Sequence, residues 1–168
     1  MTTKFQEGNL EITFPSSAKA RKYDGPSHGL SHCMKAVDFI VELGDKILFI
    51  ELKDPDNPKS RPAGKERFIQ DFQSKKIHRD LKYKYRDSFL YEWAAGRVSK
   101  PIHYYVLIAL DTLKEGDIIA QNDELKRQLP VGIPPAVPWR KEIAVACAVF
   151  NLETWNKHLP HFKITRGP

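Results

Sequence analysis

Cysteine is scarce in this chain. Only Cys33 and Cys147 occur, which excludes a disulfide framework and any site built on four thiolates, whether zinc or iron–sulfur. Cys147 lies in an apolar run and reads as a small core residue. Ser27-His28-Gly29-Leu30-Ser31-His32-Cys33 gathers two histidines and a cysteine, but no fourth ligand stands at zinc spacing. No apolar stretch approaches the ~20 residues of a membrane span, and Met1-Thr2-Thr3-Lys4 opens without the apolar core of a signal peptide. A cytoplasmic protein with no membrane partner is therefore expected. A Gly-rich phosphate loop ending in Gly-Lys-Ser/Thr is missing. So is a Gly-x-Ser-x-Gly elbow, since Gly29-Leu30-Ser31 lacks the second glycine. No internal repeat or low-complexity tract interrupts the chain.

What is present is an ordinary folded composition. The 168 residues, 41% of them hydrophobic, suit one domain spanning 1–168 with a single core. Lys and Arg number 27 against 21 Asp and Glu, giving a formal charge of +6. That balance favours an anionic partner such as nucleic acid.

The most informative stretch runs from Met34 to Asp54. Two β-branched and aromatic runs flank Gly44-Asp45, a two-residue hairpin signal. With that loop Leu43 faces Lys46, Asp38 lies opposite Glu51, and Lys53 points to the same face. Val37, Phe39, Val41, Leu43, Leu48, Ile50 and Leu52 form the other face, which belongs in a core. That apolar set fixes the register, because a one-residue slip would turn it outward. Two carboxylates directly opposite on a sheet repel. Ala36, Ile40, Ile47 and Phe49 around them lower the local polarity and sharpen the repulsion. A hard divalent cation relieves it. Mg²⁺ is held by one or two carboxylates together with water and substrate phosphate, and a lysine beside it can hold or deprotonate water.

On these residues the chain resembles the PD-(D/E)XK nuclease superfamily, which carries an Asp on one strand and Glu-x-Lys on the next. Asp38, Glu51, Leu52 and Lys53 match, and Val37 stands where the motif has Pro. The resemblance covers about 20 residues. It implies a metal-dependent nuclease that hydrolyses phosphodiester bonds, with DNA as the first expectation, Mg²⁺ as cofactor and Mn²⁺ as its substitute. Asp38, Glu51 and the main-chain carbonyl of Leu52 would ligate the metal, and Lys53 would orient the attacking water. An acid from early in the chain often joins such a site: Glu7 and Glu11 are candidates with Asp24 behind them, and Glu11 is the choice. The family's helix brings a Gln, Lys or Ser, for which Gln73 and Lys76 are candidates. A homodimer is compatible, since one metal site cuts one strand. The alternative is an inactive nuclease-fold module that binds nucleic acid or a protein.

The remaining chain fits that plan. Leu10–Phe14 and Ala18–Asp24 read as strands. Asp54–Gly64 is a loop leaving the site, and His28 and His32 sit in a loop beside it as candidates to touch phosphate or orient water. Residues 65–93 read as one helix: Ile77, Leu81, Tyr85 and Phe89 make an apolar stripe. Lys75, Arg79, Lys82 and Arg86 make a basic stripe that suits a phosphate backbone. Ile102–Leu110 and Glu142–Phe150 read as buried strands. Glu115–Leu129 reads as a helix, 131–139 as a Pro-rich loop, Leu152–His158 as a last helical turn or two, and Phe162–Thr165 as an edge strand. The expected fold is α/β, a mixed central β-sheet flanked by helices with a restriction-endonuclease-like core.

Overall fold

The computed structural model describes residues 2–132 and 140–167. The loop expected at 131–139 falls mostly outside them. The fold is mixed α/β. Five strands form the central sheet in the order β3-β4-β5-β6-β7: β3 (Lys19–Lys22), β4 (Phe39–Glu42), β5 (Ile47–Lys53), β6 (Ile102–Ile108) and β7 (Ala146–Phe150). β3, β4 and β5 run antiparallel, and β5, β6 and β7 run parallel. Parallel neighbours need a long crossover. Between β5 and β6 it is α1 (Pro62–Gln73) and α2 (Lys76–Ala94), and between β6 and β7 it includes α3 (Glu115–Gln128).

The hairpin register follows the hydrophobic alternation: Phe39 faces Ile50, Ile40 faces Phe49 and Val41 faces Leu48. The Leu43 N–H closes the loop on the Lys46 carbonyl at 2.9 Å. Gly44 is not among the glycines with positive φ, so the turn does not draw on glycine's left-handed freedom.

The sheet is covered on both faces. Ile40, Ile47, Phe49, Tyr104 and Val106 pack under Ile77, Leu81 and Tyr85 of α2 and Ile118 and Leu125 of α3. Each such side chain contributes roughly 1.5–3 kcal/mol on burial. Phe39, Val41, Leu48, Ile50 and Leu107 face the other way. The cover there is a second sheet, β1 (Thr2–Glu7), β2 (Leu10–Pro15) and β8 (Ile164–Arg166), with Trp155 of α4 (Leu152–His158). Helices therefore flank one face, and a small sheet with α4 covers the other.

Four expectations shift. Val37 belongs to the α2 side rather than the opposite face; it precedes β4, outside the pleat, and its N–H donates to Ser88 Oγ in α2 at 3.0 Å. The long helix is two helices, broken where Lys75 takes φ 59. β7 is shorter than the run Glu142–Phe150, and being an edge strand it buries only Cys147 and Val149. The last strand is Ile164–Arg166, starting two residues later and ending one residue later than the expected Phe162–Thr165. No helix among the described residues is long and apolar enough to cross a membrane.

Candidate active site

Glu51 lies in β5, opposite Val106 of β6 and one residue beyond the pairing with β4. Its side chain points toward α2 and is fully buried. Two ammonium groups meet one carboxylate oxygen: Lys84 Nζ donates to Glu51 Oε1 at 2.6 Å, and Lys53 Nζ stands 2.9 Å from the same atom. Lys53 reaches it because residues two apart on a strand share a face. Glu51 Oε2 is buried with no hydrogen-bond partner. A buried carboxylate oxygen left bare is costly.

Asp38 sits just ahead of β4 and is 4% exposed. Its Oδ2 accepts the Leu52 main-chain N–H at 2.6 Å, and its Oδ1 lies 3.6 Å from Lys84 Nζ. The backbone is pinned from two sides: the Tyr23 N–H donates to the Asp38 carbonyl at 2.7 Å, and Ser88 holds Val37. Burial, and then the charge of Glu51, push the Asp38 carboxyl up to about 8, against the pull of Lys84 and the Leu52 N–H. Burial alone would depress the Lys84 ammonium; Glu51 and Asp38 outweigh it and raise the group above its ordinary value.

Glu7 and Asp24 complete an acidic rim. One carboxylate oxygen from each, with one from Asp38, lie within 4.8 Å of one another. Burial, then Glu7, raises the Asp24 carboxyl, while Lys22 pairs with Glu7 at 2.7 Å. The acid expected from the sequence is Glu11, and the register of the small sheet explains why it lies elsewhere. Glu7 pairs with Leu10, an inward residue, whereas Glu11 pairs with Gln6. Since cross-strand partners share a face, Glu7 turns inward and Glu11 outward, where it meets Lys4 at 2.7 Å.

α2 supplies the groups missed in the sequence. Asp80, Lys84 and Ser88 recur every four residues and so line one side of the helix. Asp80 pairs with Lys35 and lies 4.0 Å from Lys53. The expected basic stripe points away. At 100° per residue Arg79, Lys82 and Arg86 lie roughly 140–200° around the helix from Lys84, and Lys75 precedes α2. Arg79 and Arg86 are exposed, Lys82 and Arg86 pack on Tyr83, and Lys75 pairs with Glu124 of α3 at 3.1 Å. Gln73 is exposed and Lys76 pairs with Asp71; neither joins the site. His32 is exposed, whereas His28 is buried.

A readable trace of Lys84 does exist in the sequence: three polar residues at four-residue spacing, Asp80, Lys84 and Ser88, abutting the apolar stripe of Ile77, Leu81 and Tyr85. No family model, no curated protein and no solved structure matches this chain, so its chemistry is argued from the geometry. The arrangement combines three convergent carboxylates, Glu7, Asp24 and Asp38, with a fourth, Glu51, buried under two lysines. It can hold a cation, keep a water next to an ammonium, and offset charge that develops on an anion.

Proposed function

We propose that this protein is a metal-dependent nuclease that hydrolyses phosphodiester bonds of nucleic acid, with DNA the first substrate to try. The observation that carries the reading is Glu51: fully buried, held by Lys53 and Lys84 through one oxygen, and bare at the other. The donor set fits Mg²⁺ or Mn²⁺, which take one or two carboxylates and complete their shell with water and phosphate. Asp38 and Glu51 would hold the ion, with Glu7 and Asp24 at its edge and the Leu52 carbonyl added by the family resemblance. Bound there, the ion would polarise the phosphoryl oxygens and lower the pKa of a bound water.

The chain's own residues do the rest. Lys53, 25% exposed at its side chain, has access to solvent and would orient the attacking water toward phosphorus. Lys84 would face the phosphoryl oxygens and offset the negative charge that grows as the new P–O bond forms and the old one breaks. The Leu52 N–H and Ser88 keep Asp38 in place while this happens. The order of three antiparallel strands, a helical crossover and a parallel fourth strand supports a restriction-endonuclease-like core.

One observation favours a second reading. Lys84 Nζ already lies 2.6 Å from Glu51 and 3.6 Å from Asp38, so an internal ammonium offsets the carboxylate repulsion without a metal. That is what an inactive, binding-only module would need. Cleavage of single- and double-stranded DNA and of RNA, with Mg²⁺, Mn²⁺ or EDTA, separates the two. The nuclease reading expects metal-dependent cutting that falls about 100-fold or more in Asp38→Asn and Lys53→Met. Equal cutting by wild type and both variants would sink it. Calorimetric silence toward Mn²⁺ would favour the binding module.

A further inference from the structure

We propose that a cavity beside the acidic site binds a second phosphate of the same polynucleotide, a neighbour of the one cut. This rests on the nuclease reading. The cavity, about 470 Å³, is walled by Arg21, Lys22, Ser27, His28, Tyr91 and Arg97 together with Tyr23. None of these carries a carboxylate. His28 also walls the cavity that reaches Asp24, Asp80 and Lys84, so the two cavities adjoin at this residue.

The two cavities differ in charge. In the cavity that reaches Lys84 two acids, Asp24 and Asp80, face two lysines, Lys35 and Lys84, so the formal charges cancel. On the far side three cations reach the wall, with side chains 42–47% exposed. Glu92 stands behind them, buried, and anchors two, while Lys22 pairs with Glu7 at 2.7 Å. Arg97 spends Nε and Nη2 on it at 2.9 and 2.7 Å, and Arg21 adds one nitrogen. A guanidinium carries five N–H donors, so both keep donors to spare while Glu92 holds their positions. Pre-positioned forks of this kind match phosphate.

His28 is the independent sign that a ligand belongs there. It is only 5% exposed, and neither ring nitrogen has a hydrogen-bond partner. Tyr91 stacks on the ring at 4.6 Å and Tyr23 meets it edge-on at 5.2 Å, so its plane is fixed. An imidazole offers at least one N–H, and a buried one left idle is costly unless something uses it. A phosphate oxygen seated among Ser27, His28 and Arg97 would. A strand running from Lys84 past His28 would then place one phosphate in each cavity.

The test is binding of a fluorescent oligothymidine to the full chain in EDTA, where nothing is cut. Arg97→Gln and His28→Phe should each weaken binding about tenfold, as loss of a charge-assisted hydrogen bond predicts. Arg97→Gln should also lower the salt slope by roughly 0.7, the value of one single-strand phosphate. Lys82→Gln, on the outer face of α2, should leave both unchanged. To guard against misfolding, ring ¹⁵N signals of His28 in the wild type are followed on adding thymidine 3′,5′-bisphosphate or inorganic phosphate. The bisphosphate should move them at concentrations where inorganic phosphate does not. Equal response to both would overturn the assignment to a strand, and silence toward both would overturn the site. Wild-type binding by both variants, in a chain that cuts with Mn²⁺, removes this proposal and spares the nuclease. Lost binding in a chain that never cuts does the reverse.

Discussion

The Lys84 ammonium and the Glu51 carboxylate meet at 2.6 Å, one from the inner side of α2 and the other from the middle of the sheet beneath it. Both are largely removed from water: Glu51 is fully buried and the Lys84 side chain is 18% exposed. Removing either partner strands the other, and an uncompensated buried charge costs about 3–5 kcal/mol. In EDTA, Glu51→Gln and Lys84→Met should each lower the unfolding free energy by about 3 kcal/mol, at the low end because Lys53 and Asp38 remain. The double variant should lose less than the sum. Urea titrations of the four proteins measure this, and additivity within about 0.5 kcal/mol would show that the pair is not coupled.

Asp38 predicts a pH dependence. Its carboxyl is pushed from 3.8 up to about 8 in the fold. Between these values the native state holds a proton that the unfolded chain has released, so the contribution is stabilising below about pH 4 and is lost as pH rises through 8. Metal-free protein should therefore lose stability from pH 4 to 8, and Asp38→Asn should flatten that slope. Mg²⁺ should oppose the loss, since a metal competes with the proton for the same oxygens. Chemical denaturation across this range, with and without Mg²⁺, is the measurement.

Ser88 predicts a coupling between packing and site. Its Oγ accepts the Val37 N–H at 3.0 Å, and the residue is fully buried. Ser88→Ala gains up to about 0.5 kcal/mol of helix propensity. It leaves a buried main-chain donor bare, at about 1–3 kcal/mol. The second effect is larger, so the variant should be less stable by about 1–2 kcal/mol. Because Val37 is bonded next to Asp38, Mn²⁺ affinity measured by calorimetry should fall as well, while Ser88→Thr should keep part of both. Unchanged stability in Ser88→Ala would remove this link.

Two turn glycines should respond in opposite directions. Gly44 has open space where a methyl group would point and no positive φ; Gly44→Ala should be neutral or stabilise by about 0.4–1 kcal/mol through the unfolded chain. Gly8 has φ 58, and a Cβ there would meet Asn57 Nδ2 at 3.2 Å. Gly8→Ala should cost about 1–2 kcal/mol, the left-handed penalty of a residue with a side chain. Thermal unfolding of the two variants checks the contrast.

Several elements are legible in the residue order. The alternation of Phe39 and Val41 with Ile40, and of Leu48 and Ile50 with Phe49, fixes the hairpin register. The four-residue spacing of Ile77, Leu81 and Tyr85 marks the face of α2 that packs on the sheet. The break at Lys75 is not legible, because the chain turns there through a left-handed residue that is neither Gly nor Asn. β1 is unreadable too: all six of its residues are exposed or half-exposed, so no hydrophobic period marks it.

By itself, then, the sequence determined the register of the hairpin and put Glu51 and Lys53 on one face, with Asp38 one residue ahead of the paired strand. It could do so because the pleat of a strand is a local rule with a period of two. Only the tertiary structure decided what surrounds them. Choosing Glu7 and Asp24 over Glu11, admitting Lys84, and turning Lys75, Arg79, Lys82 and Arg86 outward all depend on how β1 registers against β2 and which side of α2 meets the sheet. Those are contacts between residues far apart in the chain, set by how whole apolar faces close on one another, and no short spacing encodes them.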